Sequence, residues 1–182
     1  MELHQNHYYH IYNRSNNNEI AFKSSENYLY FLKKFQHYLS VDLDCLAYCL
    51  MPTHFHFLVF VKSEDDMRVK EKFGVLLSSY TKAINQRYAR HGSLFQNHTK
   101  SRHIDNERYL MTLMTYIHQN PVRAGLVKKL EDWQYSSYGE YVGTTTGNLM
   151  KRDIINDYFS SVEEFKEFSS VPVEFVEKKY WI

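Results

Sequence analysis

The stretch that decides the fold is Met51-Pro52-Thr53-His54-Phe55-His56-Phe57-Leu58-Val59-Phe60. Beyond Pro52 it is an apolar run with histidine at two alternate positions, which reads as a buried strand from 54 to about 61. Strand side chains alternate between faces, so His54 and His56 point one way while Phe55 and Phe57 point the other. Two imidazoles side by side on a rigid element meet the first requirement of a chelating metal site. They are equally compatible with two hydrogen-bonded polar residues on the wetter face of a sheet. The neighbouring chain has to choose.

Upstream, Tyr8–Arg14 is β-prone and ends in the turn cluster Ser15-Asn16-Asn17-Asn18. A helix is expected after Ser24, because Tyr28, Phe31, Leu32, Phe35 and Leu39 recur at spacings of three and four. A second strand spans 43–50. Downstream, an acidic loop leads into a helix over 67 to about 90, with Phe73, Leu76, Leu77, Tyr80, Ile84 and Tyr88 on one face. His91-Gly92 ends it, and Ser93-Leu94-Phe95-Gln96 is expected to open a fourth strand. Asp105 is placed to cap a further helix over 106–120, which Pro121 should stop. The order β-α-β-β-α-β followed by a helix predicts an α+β, ferredoxin-like split βαβ fold. It has an antiparallel sheet with helices on one face and the other face open for function, plus a C-terminal helical extension. In that extension, 144–148 reads as a loop, and short acidic helices are expected over 152–159 and 162–168.

The 182 residues suit one domain with a small appendage: a catalytic unit over 1–130 and an extension over 131–182, packed on it or flexible. No apolar run approaches the ~20 residues of a membrane span, and the N-terminus lacks the charged start and apolar core of a signal peptide. Cys45 and Cys49 are too few for a disulfide scaffold and fit free thiols in a reducing cytoplasm. The remaining histidines, including His4, His7, His10, His91, His98, His103 and His118, lack paired metal spacing, and most of them read as surface or capping residues. The net charge of +1 conceals a division: residues 1–67 carry −3, residues 68–129 carry +9 and residues 130–182 carry −5. The basic middle points to a polyanion partner, although some of its cations can simply face solvent.

A second constellation lies at the end of the third helix, Tyr116-Ile117-His118-Gln119-Asn120-Pro121-Val122-Arg123-Ala124-Gly125-Leu126. Tyr116 and Asn120 are four apart and share a helix face. Taken with Met-Pro-x-His-x-His, with Gly92, Phe95 and Gln96, and with Trp133-Gln134-Tyr135-Ser136-Ser137-Tyr138, this segment resembles the single-tyrosine HUH transposases. The closest branch is the one associated with repetitive extragenic palindromes (REP). The resemblance covers about residues 8–141. It differs in having Thr53 where relatives commonly have Asn, and Asn97-His98-Thr99 where basic residues are usual.

The resemblance implies an enzyme that cleaves and rejoins single-stranded DNA next to hairpins on a ferredoxin-like domain. Tyr116 would be the nucleophile, and His54, His56 and Asn120 would be ligands of a divalent metal, Mg or Mn. The resemblance also implies a helix that serves either its own chain's site or that of a dimer partner. The chemistry is consistent with this set. A divalent ion absorbs charge on the scissile phosphate, and a tyrosine of unperturbed pKa ~10 needs help in losing its proton. Lys82, Arg87, Arg90, Lys100, Arg102 and Arg123 are the candidate DNA-backbone contacts, with aromatics available to stack on unpaired bases. Two other classes remain open. A non-catalytic ferredoxin-like module could bind single-stranded nucleic acid, leaving the His pair and the Tyr-Asn helix unexplained. A zinc hydrolase without DNA would leave the charge division unexplained.

Overall fold

Strands β1 (Tyr8–Arg14), β2 (Leu43–Met51), β3 (His54–Val61) and β4 (Lys100–Ile104) form one antiparallel sheet in the order β2-β3-β1-β4. The structure, a computed structural model, describes residues 1–151 and 156–173. Helices α1 (Ser25–Leu39) and α2 (Asp66–Arg87) lie on one face, as the split βαβ order requires. Their apolar stripes, Phe31 and Phe35 from α1 and Phe73, Leu76 and Tyr80 from α2, close over Ile11, Leu50, Phe55, Phe57 and Val59. Phe35 stacks on Phe57 with ring centroids 4.1 Å apart. Each such ring taken fully from water contributes about 1.5–3 kcal/mol, so this face is the main hydrophobic core.

The opposite face does not lie open along its whole width. Helix α3 (Glu107–Arg123) roofs the β2–β3 half. Its Leu110, Leu113, Met114 and Ile117 form an apolar stripe that needs a counterpart. They find it in Leu46, Ala47 and Cys49 of β2 and Leu58 of β3. Over the β1–β4 half, Arg14, Lys100 and Arg102 stay exposed. A register shift between Cys45 and Ala47 serves both layers. Leu43 and Cys45 face α1 and α2, whereas Ala47, Cys49 and Met51 face α3, so the odd-numbered residues change sides at the bulge.

Three expected boundaries move. The strand expected at Ser93 begins instead at Lys100, because Leu94 and Phe95 are drawn into the first core, at 0% and 3% exposure. Phe95 makes only a single bridge to Ser15, and His98 turns the chain through φ 65° before β4 starts. The cap of α3 is Asn106 rather than Asp105: its Oδ1 accepts from the Tyr109 N–H at 3.2 Å. Nor does Pro121 stop α3: it falls in the last turn, and the Ile117 carbonyl that it leaves without a backbone donor is approached by the Asn120 amide at 3.5 Å. The helix ends two residues later in a Schellman closure, with Leu126 N–H donating to Pro121 O and Gly125 N–H to Val122 O, both at 2.9 Å. Gly125 takes φ 69°, which explains the glycine of Pro-Val-Arg-Ala-Gly-Leu.

The outer edge of β2 is covered by the segment 133–137. Leu50 N–H donates to Tyr135 O at 2.9 Å, Ser137 N–H to Tyr48 O at 3.0 Å, and the Trp133 indole to Leu50 O at 3.1 Å. Helices α4 (Tyr138–Tyr141) and α5 (Val162–Ser170) follow. Tyr138 and Phe165 join the α3 layer, and the Gln119 amide is tied to Ser169 O, Val171 O and Val173 N. The helix expected over 162–168 is α5, while the one expected over 152–159 lies partly outside the described residues. Cys45 and Cys49 are buried free thiols. Among the described residues, no helix is long and apolar enough to cross a membrane.

Candidate functional site

Antiparallel pairing places directly opposed residues on the same face. Arg14 lies opposite His54 and Tyr12 opposite His56, while Tyr12 also faces Lys100 and His10 faces Arg102. The two histidines of β3 therefore share the α3 side of the sheet with His10, Tyr12, Arg14, Lys100 and Arg102. Their rings are 5.2 Å apart and nearly perpendicular. His54 is half-buried, with Nδ1 3.1 Å from Thr53 Oγ1. His56 is 1% exposed, with Nδ1 2.8 Å from His10 Nε2. Burial lowers the pKa of His54 to about 4, helped by Arg14. It takes His56 well below its ordinary value, and His10 to about 3. All three are neutral near pH 7, the state in which imidazole carries a ligating lone pair.

Helix α3 delivers the other half. The Tyr116 ring is 6.2 Å from that of His56, perpendicular to it, and 8% exposed. Two helical turns further on, the Arg123 guanidinium lies 5.5 Å from the centre of the Tyr116 ring. Burial raises the Tyr116 pKa, and the Arg123 charge opposes that rise. Among the described residues, no carboxylate is hydrogen-bonded or ion-paired to the phenol. Asn120 spends its amide nitrogen on the Tyr116 carbonyl at 2.9 Å and approaches Ile117 O at 3.5 Å, so Oδ1 is its remaining acceptor.

The residues present suit a divalent ion in one specific respect. His56 Nε2 is buried and has no hydrogen-bond partner among the described residues, an unusual state for a polar atom. Among those residues, no group of three or more His, Cys, Asp or Glu is placed to hold a metal. The third ligand that the sequence resemblance implies is Asn120, whose amide oxygen would complete a set of nitrogen and oxygen donors that suits Mn²⁺ and tolerates Mg²⁺.

The six cations singled out in the sequence divide between the two faces. Lys100 and Arg102 share the face of the histidines, and Arg123 covers Tyr116 while donating to Val173 O at 2.9 Å. Lys82 and Arg87 belong to α2, across the sheet, where Arg87 is ion-paired with Glu26. Arg90 follows α2 with a side chain only 13% exposed, pairing with Glu19 at 2.9 Å and bonding Asn85. A groove beside the end of α3 adds Lys128, Lys129 and Lys166 to Arg123. Sequence reasoning missed His10, Tyr12 and Arg14, although their alternation on β1 placed them on one face. His118 stays outside the site, buried with Nε2 2.8 Å from Ser137 Oγ.

No family model matches the chain. Over 112 residues it is 26% identical to a Haemophilus influenzae (strain Rd) protein provisionally named a REP-associated tyrosine transposase, covering 57% of this chain and 61% of that protein. The chain thus spans less than two thirds of that relative's length. Its fold is similar to that of a solved REP-associated tyrosine transposase bound to a REP hairpin, with a TM-score of 0.65 and 17% identity. That match covers 83% of this chain and 92% of the other. Both comparisons bear the name to which the sequence resemblance pointed.

Proposed function

From a chain that resembles the REP-associated tyrosine transposases in sequence and is similar to one of them in fold, we propose a DNA strand transferase. It cleaves and rejoins single-stranded DNA near hairpins through a 5′-phosphotyrosine. The observation that carries this reading is Tyr116, held on α3 at 6.2 Å from His56 with Arg123 across its ring, all within one chain. Tyr116 Oη attacks the phosphorus, its proton passing to solvent. The P–O3′ bond breaks, and the departing 3′ oxygen takes up a proton. The phosphotyrosine linkage conserves the bond's energy, so a 3′-hydroxyl attacking it rejoins the strand and returns Tyr116 to the phenol.

Arg123 favours the phenolate against the burial that opposes it. A divalent ion, Mg²⁺ or Mn²⁺, held by His54, His56 and Asn120, would absorb charge on the non-bridging phosphate oxygen. Lys100 and Arg102 on the open half of the sheet, Arg123, and the groove of Lys128, Lys129 and Lys166 would hold the DNA backbone. Lys82, Arg87 and Arg90 lie on or after the helix of the opposite face and are left out of that set.

The test is incubation with a single-stranded hairpin oligonucleotide and Mn²⁺, followed by denaturing electrophoresis. A denaturation-resistant adduct is expected with the natural chain and none with Tyr116→Phe. An adduct that persists in the variant would refute Tyr116 as nucleophile. Hairpin binding with no adduct in either would leave a binding module.

A further inference from the structure

We infer that His10, outside the proposed ligand set, is a positioning residue for His56. Its Nε2 accepts the Nδ1 proton of His56, which fixes the tautomer and keeps the His56 Nε2 lone pair free for a cation. This rests on the proposed reading of His54 and His56 as metal ligands.

The contact is made for a directional hydrogen bond. The two nitrogens are 2.8 Å apart, the ring planes differ by 12° and the centroids are 5.1 Å apart. A nitrogen–nitrogen distance that short between near-parallel rings means that they meet edge to edge, with an N–H pointing along the opposing lone pair. His10 cannot drift from this position. It is fully buried in the middle of β1, with its backbone in register between Leu58 of β3 and Arg102 of β4.

A neutral imidazole carries one N–H, so the pair has two arrangements. If His10 donates, the His56 proton sits on Nε2, a buried atom for which no acceptor is placed among the described residues. If His56 donates from Nδ1, the His10 proton sits on its own buried Nδ1 and His56 Nε2 presents a lone pair, the arrangement that a cation at Nε2 requires. His54 likewise has its Nδ1 within hydrogen-bond reach of the protein, 3.1 Å from Thr53 Oγ1. Both rings thus have Nδ1 engaged by the protein, as in sites where a ligating histidine passes its other N–H to a fixed acceptor.

The experiment compares the full chain with His10→Phe, which keeps a flat ring without an acceptor, and His10→Gln, which restores an acceptor oxygen. Long-range ¹H–¹⁵N imidazole spectra report the His56 tautomer without metal, and electron paramagnetic resonance of free Mn²⁺ reports affinity. The natural chain should show His56 protonated on Nδ1. The phenylalanine variant should lose that preference and bind Mn²⁺ roughly 10–100-fold more weakly, with glutamine recovering to within about threefold. Protonation of His56 on Nε2 in the natural chain would overturn the inference. So would a phenylalanine variant with unchanged tautomer and affinity. Should that variant fail to fold, His10→Asn, whose shorter amide cannot reach Nδ1, is compared with glutamine instead. A natural chain that binds no Mn²⁺ but keeps the Nδ1 proton under control of residue 10 would refute the metal reading and uphold the role of His10.

Discussion

Buried imidazoles set how this protein responds to acid. His10 and His118 have pKa values lowered to about 3 and His54 to about 4, and His56 lies well below its ordinary value, all chiefly by burial. In the unfolded chain each would titrate near 6.5. Between those values the unfolded state binds protons that the folded state refuses, so stability is complete above about pH 6.5 and falls as pH drops toward 4. Each residue can add up to ~1.4 kcal/mol per pH unit to the slope. Thermal unfolding should give a constant Tm from about pH 8 to 7 and a steep decline below 6.5. A flat profile down to pH 4 would show that the four rings are not buried neutral. At this scale the sequence was informative for His54, His56, Tyr116 and Asn120, because each belongs to a short local pattern. His10 was illegible for a physical reason: its partner is 46 residues away, and only the β1–β3 register brings the two rings together.

Elements were legible where hydrophobic period alone decides, as in α1, α2 and β3, and less so where an element depends on another's unmet hydrogen bonds. The aromatic run after Trp133 has no strand periodicity. It extends along β2 because that strand is at the sheet edge and its backbone groups need partners. Ser137 ties the segment down: its Oγ accepts from Tyr48 N–H at 2.9 Å and lies 2.8 Å from His118 Nε2. Ser137→Ala strands both groups in the interior, at about 1–3 kcal/mol each. Urea unfolding should show a lower midpoint with an unchanged m-value, and a loss below about 0.5 kcal/mol would mean that water replaces the hydroxyl. Residues 93–96 show the opposite failure. Their apolar pattern was read as a strand, and tertiary burial took Leu94 and Phe95 into the core instead.

At the scale of the whole molecule, the charge division in the sequence overstates the basic surface. Arg68 and Lys72 close on buried Asp42, Lys70 on Asp66, Arg87 on Glu26 and Arg90 on Glu19. What remains available to a polyanion is concentrated near β4 and the end of α3. Lys100→Ala and Arg102→Ala should each weaken binding of a single-stranded oligonucleotide and flatten its log affinity against log salt slope by about 0.7. Arg87→Ala should leave both unchanged. Fluorescence anisotropy across about 50–200 mM salt measures this, and an effect of Arg87 equal to that of Arg102 would move the interface to the other face. A tally of charge along the chain could not have separated these groups, because all of these ion pairs but Lys70–Asp66 join residues far apart in sequence.

The bulge between Cys45 and Ala47 also sets which changes of length β2 can survive. Removing Leu46 alone would restore simple alternation and leave every later side chain on its present face, whereas losing Ala47 as well would turn the strand inside out beyond that point. With both gone, Tyr48 and Leu50 would come to lie beneath the helix that carries Tyr116, and Cys49 would face the phenylalanine layer of α1 and α2. Insertions and deletions in this strand are therefore penalised by parity rather than by number. A single residue lost at the bulge leaves both layers as they are, whereas a second lost there exchanges them.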